Sequence, residues 1–435
     1  MDPALISMIS ILALLVLLTL GMPIAFATTL TGFAGLVLLL GIKGALHSLG
    51  AIPFGSLSSY LLTVVPMFIL MGQFAYHSDI SKEIFGSAKI WLSWLPGGLA
   101  CATVAGCAMF GACTGSSLAC CATMGKIAIP EMEKQGYHPA MAVGSVAGAG
   151  GLAILIPPSI PAVLYASVSN ESVGKMLIAG ILPGVLSIVI FISFIVFIVK
   201  RNPNVAPKTV RFSWSDRLKA LRGVWGMILI FIFVMGSIYM GWSTPTEAGA
   251  VGAFGTLAIA LARRRSSLGE IWRGAFLETV RSVSMIFFIF IGTQLFGFFL
   301  TRAGIPMMAA KGIASLPMPP IFIYIMILLS YIPLGMFLDT VSMILLTVPI
   351  AYPVITELGF NGIHFGILII LMCEIGLITP PVAFNLYVIK GVVPNISLGN
   401  IMKGALPYVG RDLLIVIILM IFPEIVLWLP NLMQN

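Results

Sequence analysis

The chain has 435 residues, of which 59% are hydrophobic and 9% charged, with a formal net charge of +8. Many apolar runs approach the roughly 20 residues that cross a bilayer, so the composition excludes a soluble domain and implies an integral membrane protein. The positive charge does not point to nucleic acid, because the lysines and arginines fall in short loops between apolar segments, where basic residues mark the cytoplasmic side.

The first segment, MDPALISMISILALLVLLTL, lacks a basic n-region and reads as a retained first span, not a cleaved signal peptide. Apolar segments then follow near 24–41, 57–76, 98–110, 141–168, 176–199, 223–241, 247–262, 280–300, 319–334, 341–356, 363–389 and 408–430. Five of the six cysteines (Cys101, Cys107, Cys113, Cys120 and Cys121) lie within 21 residues. Six-residue steps in a helix turn successive thiols by about 240°, and the spacings are not those of zinc or iron–sulfur sites. Their glycine, alanine and serine neighbours imply close helix packing instead. His47, His77, His138 and His364 stand near segment ends and form no cluster. Trp91, Trp94, Trp242 and Trp428 read as interfacial anchors. Glu247 follows Pro245 and suits a first helical turn, where acids are favoured.

An internal repeat organises the chain. Gly136 pairs with Gly359 and Pro157-Pro158 with Pro380-Pro381 at an offset of 223, while Gly111 pairs with Gly335 and Pro183 with Pro407 at 224. The end of the first copy, 200–222, is rich in lysine and arginine, whereas the end of the second, NLMQN, has none. The approaches reverse this bias: Arg263, Arg264, Arg265 and Arg273 precede the second copy, and only Lys43 lies in 43–56 before the first. Opposite charge at equivalent ends predicts inverted copies, with both termini outside. The division is an N-terminal scaffold (1–56), a first repeat (57–200), a cytoplasmic basic loop with central scaffold spans (201–279) and a second repeat (280–435). Each repeat holds a hairpin (about 98–130 and 319–356) and a broken helix (about 141–168 and 363–389).

A Pro-Pro pair removes two backbone donors and breaks a helix. In lipid each freed carbonyl costs several kcal/mol unless protein, water or an ion satisfies it. Two such breaks at matched places imply irregular backbone lining a cavity, as in secondary transporters whose unwound carbonyls hold Na⁺ and whose half-helix N-termini face an anion. In FGACTGSSLA, Thr114, Gly115, Ser116 and Ser117 suit the tip of a re-entrant hairpin; the counterpart GMFLDT carries Asp339 and Thr340. Hydroxyls and carbonyls are hard donors suited to an alkali cation, and an embedded carboxylate adds charge balance. Glu374 either lines the second site or pairs with a neighbour.

The runs GSSLA, IPEM, ILIPPSIPAVLY, AGILPG, TPTEAG, FLDT and ITPPV together resemble the large membrane subunit of tripartite ATP-independent periplasmic (TRAP) transporters, over nearly the whole chain. The resemblance implies an all-α integral membrane protein of inverted repeats, with two re-entrant hairpins and two broken helices, similar to an ion-transporter superfamily of elevator-type carriers. It implies Na⁺-coupled import of an organic anion across the bacterial inner membrane, with a small four-span membrane subunit and a periplasmic substrate-binding protein as partners. One Na⁺ site would use Gly111, Thr114, Ser116 and Ser117 with Ala153, Ile156 and Pro158; a second would use Gly335, Gly376, Thr379 and Val382. Thr114, Ser116, Ser159, Asp339 and Asn385 would stand on the substrate side. Ala153 departs from the glycine that often precedes ILIPPS in the family, which shifts the ligand register of the first site.

A self-sufficient carboxylate symporter of the divalent-anion type is the other transport reading; a binding protein and small subunit encoded beside the chain would separate the two. An enzyme would need a nucleophile with its base or a metal cluster at depth; no HExxH occurs, and no acidic pair at helical spacing lies within the apolar segments. An ATP-driven pump would need GxxxxGK[ST], which is also missing from the sequence.

Overall fold

The computed structural model describes residues 2–78, 80–263, 268–314, 317–381 and 383–433. The protein is all-α, with no strand among the described residues. Among the described residues, seven helices are long and apolar enough to cross a membrane, or up to nine if each of two bent pairs counts as one span.

The N-terminal part is α1 (Pro3–Thr19) and α2 (Ile24–Leu57). Asp2 caps α1 by accepting from the Ala4 amide at 3.1 Å, with Pro3 at the first helical position. Helix α2 is kinked at Gly41 (φ 73°, ψ 169°) and continues to Leu57, so the stretch 43–56 is helical. Then come α3 (Val64–His77), α4 (Ile80–Leu92), α5 (Gly98–Thr114) and α6 (Ser117–Lys134), the last two forming a helical hairpin. Helices α7 (Pro139–Ala149), α8 (Leu152–Leu155) and α9 (Ile160–Ser169) make one broken run bent by 44°. Two more, α10 (Val173–Ala179) and α11 (Ile181–Arg201), lead into the basic loop.

That loop contains a helix, α12 (Trp214–Leu221), fixed by a capping box between Ser213 and Asp216. After α13 (Trp225–Tyr239), the start of α14 (Pro245–Arg263) is fixed by Glu247, which accepts from the Thr244 amide at 2.8 Å. Arg264 and Arg265 of the basic triplet lie outside the described residues. Helix α15 (Leu268–Arg302) runs unbroken for 35 residues, so the boundary drawn at 279/280 falls inside a helix. Next come α16 (Ile305–Ala314), a second hairpin of α17 (Pro320–Gly335) and α18 (Thr340–Glu357), then α19 (Gly362–Ile378) and α20 (Phe384–Val392) on either side of Pro380-Pro381. The chain ends with α21 (Leu398–Ile421) and α22 (Glu424–Leu432).

The halves interlock. Helix α6 packs on α20, α7 on α21, and α9 on α18 and α19, while α3 packs on α14 and α15, and α2 on α15. Small residues allow the closest crossings: a Cβ on Gly144 would lie 2.2 Å from the Gly404 carbonyl oxygen, and one on Gly404 2.5 Å from that of Ala140. Arg411 of α21 reinforces this crossing from a buried position, donating to the Gly148 carbonyl at 3.3 Å and to Asp412 at 2.8 Å, and stacking 3.7 Å from the Phe191 ring centroid. All six cysteines are buried free thiols; those of α5 and α6 pack among small residues, Cys120 against the Cys107 carbonyl and Cys121 against that of Val146. Trp94, Trp242 and Trp428 are exposed, whereas Trp91 is half-buried and donates to the Arg217 carbonyl at 3.1 Å.

Candidate transport site

Local sequence dictates the first hairpin tip. Gly115 ends α5 in the left-handed region (φ 58°), which glycine adopts without a Cβ penalty, and its amide bonds the Gly111 carbonyl at 2.8 Å. Ser116 is extended and caps α6 by accepting from the Ala119 amide at 3.4 Å. The tip faces the first break: a Cβ on Gly115 would stand 2.8 Å from the Pro158 carbonyl oxygen, and one on Gly111 only 2.3 Å from the Ala153 Cα. At the break Ile156 is extended, and Ser159 caps α9 by accepting from Ala162 at 3.2 Å while donating to the Ile154 carbonyl.

The second half repeats the contact. A Cβ on Gly335, at the end of α17, would lie 2.6 Å from the Gly376 Cα of α19. These residues follow Gly111 and Ala153 by 224 and 223 positions, so the register carried by Ala153 in the first half is occupied by glycine in the second. Thr379 ends α19 in extended backbone, its hydroxyl on the Ile375 carbonyl at 2.5 Å. Asp339 caps α18, accepting from the Val341 amide at 3.1 Å and from the Ser342 hydroxyl. Val382 lies outside the described residues.

Between these parts is a cavity of about 550 Å³, within the usual range for small-molecule sites. Thr114, Ser116, Ser117 and Asp339 line it, together with Thr340, Thr123 and Ile160. The opposite wall comes from α3 and α15, through Gln73, Tyr76, His77, Glu278 and Ser282. Sequence reasoning missed this wall; the signal was a lone amide, Gln73, in the apolar run of α3. Gly111, Ala153, Ile156, Pro158, Gly335, Gly376 and Thr379 are not on the lining; Gly111 with Ala153, Gly115 with Pro158, and Gly335 with Gly376 make the hairpin-to-break contacts. Ser159 and Asn385, expected on the substrate side, are not on the wall. Ser159 is buried and satisfied by its own helix end, and Asn385 is buried in a polar cluster.

In that cluster Ser117 donates to Glu374 Oε1 at 3.0 Å, and Asn385 Nδ2 donates to both Ser117 Oγ at 2.8 Å and Glu374 Oε1 at 2.7 Å. Glu374 therefore pairs with neighbours and does not line the cavity. At the base of the first hairpin, Lys89 of α4 bonds Glu131 of α6 at 2.6 Å, and this hydrogen bond and the ammonium charge hold the Glu131 carboxyl below the ordinary glutamate range.

The polar surface of the cavity combines backbone with the Asp339 and Glu278 carboxylates. No lysine or arginine is among the described residues lining it. The first turns of three helices do line it: Ser117–Ala119 of α6, Ile160–Pro161 of α9 and Thr340–Val341 of α18. Each helix N-terminus carries roughly +0.5 charge, partly taken up by the Ser116, Ser159 and Asp339 caps, and the remaining first-turn amides favour an anion there. Among the described residues no group of three or more His, Cys, Asp or Glu could hold a metal ion.

Known proteins share this architecture and this sequence. Residues 11–425 match the family described as "Tripartite ATP-independent periplasmic transporter, DctM component". The chain is 36% identical over 403 residues to the C4-dicarboxylate TRAP transporter large permease protein DctM of Pseudomonas aeruginosa, covering 92% of this chain and 93% of that one. It is 30% identical to the sialic acid TRAP transporter large permease protein SiaM of Vibrio cholerae, covering 97% and 98%. Neisseria gonorrhoeae MtrF, described with a class of antimetabolite efflux pumps, superposes with a TM-score of 0.60 at 14% identity over 90% of this chain and 85% of that one, a likeness of fold. The chain therefore belongs to the DctM component family of tripartite ATP-independent periplasmic transporters.

Proposed function

We propose that this chain is the membrane carrier of a Na⁺-coupled importer for a small organic anion, a carboxylate or sulfonate, in the bacterial inner membrane with both termini periplasmic. The observation that carries this reading is a cavity ringed by three helix N-termini with no lysine or arginine on its described wall. An anion placed there meets backbone dipoles beside the Asp339 and Glu278 carboxylates, and in this reading co-transported Na⁺ supplies the balancing positive charge.

In this reading one ion is held where the first hairpin tip meets the first break, by oxygens of Gly111, Thr114, Ser116, Ser117, Ala153, Ile156 and Pro158. A second is held by Gly335, Gly376 and Thr379, with Val382 completing the set. Thr114, Ser116 and Asp339 present polar atoms to the substrate, while Ser159 and Asn385 hold the break and the polar cluster in place. Ion binding orders the tips and completes the anion pocket, so substrate loads after Na⁺. The hairpins and broken helices then move together as the carrier unit of an elevator against α2, α3, α14 and α15. A small four-span membrane subunit steadies that scaffold, and a periplasmic binding protein delivers the anion.

The relatives' names span C4-dicarboxylates and sialic acid, so those are the first substrates to try. The chain is reconstituted with its two partners, and uptake of labelled succinate and sialic acid is measured under an inward Na⁺ gradient. Uptake of one of them is expected to collapse when K⁺ replaces Na⁺. Equal uptake in K⁺ overturns the coupling.

A further inference from the structure

Glu374 is an acid buried at the junction of the two halves, and the cavity does not use it. Its side chain touches three other elements. Ser117, the first residue of α6, reaches it from the first hairpin, and Asn385 reaches it from α20, beyond the second break. A Cβ on Gly151, two residues before Ala153, would lie 2.3 Å from Glu374 Cγ, so the first broken run is also pressed against it. Its own helix carries Gly376 two residues later and Thr379 five residues later. Among the described residues, Glu374 Oε2 and Asn385 Oδ1 are buried with no hydrogen-bond partner. A half-satisfied polar network at depth lowers stability relative to apolar packing, and position is what it supplies in return.

We propose that Glu374 is a positioning residue that couples the two Na⁺ sites, so that filling one set of oxygens sets the geometry of the other. The link is mechanical. Ser117 belongs to the first ligand set and Gly376 and Thr379 to the second; the Ser117–Glu374 bond joins them across 257 residues, and Asn385 clamps both ends through bonds of 2.7 and 2.8 Å. An ion drawing Ser117 toward the first break pulls on α19 just before its own break, and the reverse holds with equal strength, because coupling between sites is reciprocal. The proposal rests on the Na⁺-coupled reading above.

The test compares the wild type, Glu374→Gln and Glu374→Met in proteoliposomes with both partners, measuring uptake against Na⁺ concentration. The glutamine keeps an acceptor oxygen for Ser117 and Asn385, whereas methionine fills the volume without either bond. Steep, cooperative Na⁺ activation is expected for the wild type and the glutamine variant. In Glu374→Met it is expected to flatten to a non-cooperative curve, with half-saturation raised by about 5- to 150-fold, the span of typical coupling between sites. Should the methionine variant fail to assemble, Asn385→Leu, which removes the clamp from the other side, takes its place with the same expectation. Calorimetric Na⁺ titration of purified protein gives a second readout: Gly335→Ala, which disturbs the second site, should weaken ion binding at the first in the wild-type background and leave it unchanged beside Glu374→Met. Loss of Na⁺ dependence in the wild type would sink the coupled-carrier reading. Na⁺-dependent uptake that is non-cooperative in the wild type, or equally cooperative in Glu374→Met, overturns the coupling role alone.

Discussion

Replacing Gly111 with alanine adds a single methyl group at the contact between the first hairpin and the first break. The new Cβ would sit 2.3 Å from the Ala153 Cα and 2.7 Å from its Cβ. Carbon atoms settle at about 3.5 Å or more, so hairpin and broken helix must part by about 1.2 Å. Overpacking of this kind typically costs about 1–3 kcal/mol of stability. The functional effect is of similar size, because a misplacement near 1 Å degrades a positioned site about 100-fold, or about 2.7 kcal/mol. Gly111→Ala is therefore expected to lower the thermal midpoint of the purified protein and to raise the Na⁺ concentration for half-maximal uptake by about 10- to 100-fold. Gly86→Ala is the control: nothing lies within 4 Å of its added Cβ, it sits in α4, and it is expected to leave Na⁺ activation unchanged. A Gly111→Ala protein with wild-type Na⁺ half-saturation would refute the close-contact origin of the site.

Asp339 serves α18 as a cap and the cavity as a carboxylate, and two substitutions separate these roles. Asp339→Asn keeps the cap, so it should melt near wild type while uptake falls; Asp339→Ala should lose a further 1 kcal/mol or so of stability in the same melting assay. Arg411→Ala leaves Asp412 buried without its partner, and a loss of about 3–5 kcal/mol is expected in chemical or thermal unfolding, visible as poor yield of folded protein. Glu131→Gln tests the base of the hairpin. The Lys89 bond depresses the Glu131 carboxyl, so its contribution is complete above the unfolded glutamate value and disappears as pH falls through the lower folded value. The pair is about one-third exposed, so solvent screening keeps the contribution under about 1 kcal/mol. The melting-temperature gap between wild type and variant should accordingly be small at neutral pH and close in acid.

The parts legible from sequence are those punctuated by residues with strong backbone preferences. Gly115 and Ser116 mark the hairpin tip, and the paired prolines mark both breaks, so the helices around them begin and end within a few residues of the expected places. Helices α4, α12 and α16 were not marked, because short or amphipathic elements between spans read as polar connections. The scaffold wall was hidden for a related reason: Gln73 and Glu278 are isolated polar residues on long helices, and one residue has no period. Ser159 illustrates a different failure. A hydroxyl beside a break invites a ligand role, yet serine often satisfies itself on nearby backbone, here the Ile154 carbonyl and the Ala162 amide. The Ser117–Asn385–Glu374 cluster joins positions 257 and 268 residues apart, and no local pattern encodes such a pairing.

The interlocked halves also bear on how the protein is made. Ser117 meets Asn385 268 residues later in the chain, and the Gly148 carbonyl meets Arg411 263 residues later. At about 5–20 residues per second, a ribosome leaves these early polar groups without their native partners for roughly 13–50 s after each is synthesised. During that interval the nascent first half must be sheltered by lipid headgroups, water or the insertion machinery. A chain cut short before α19 never gains those partners, which makes the truncated product a natural target for membrane quality control.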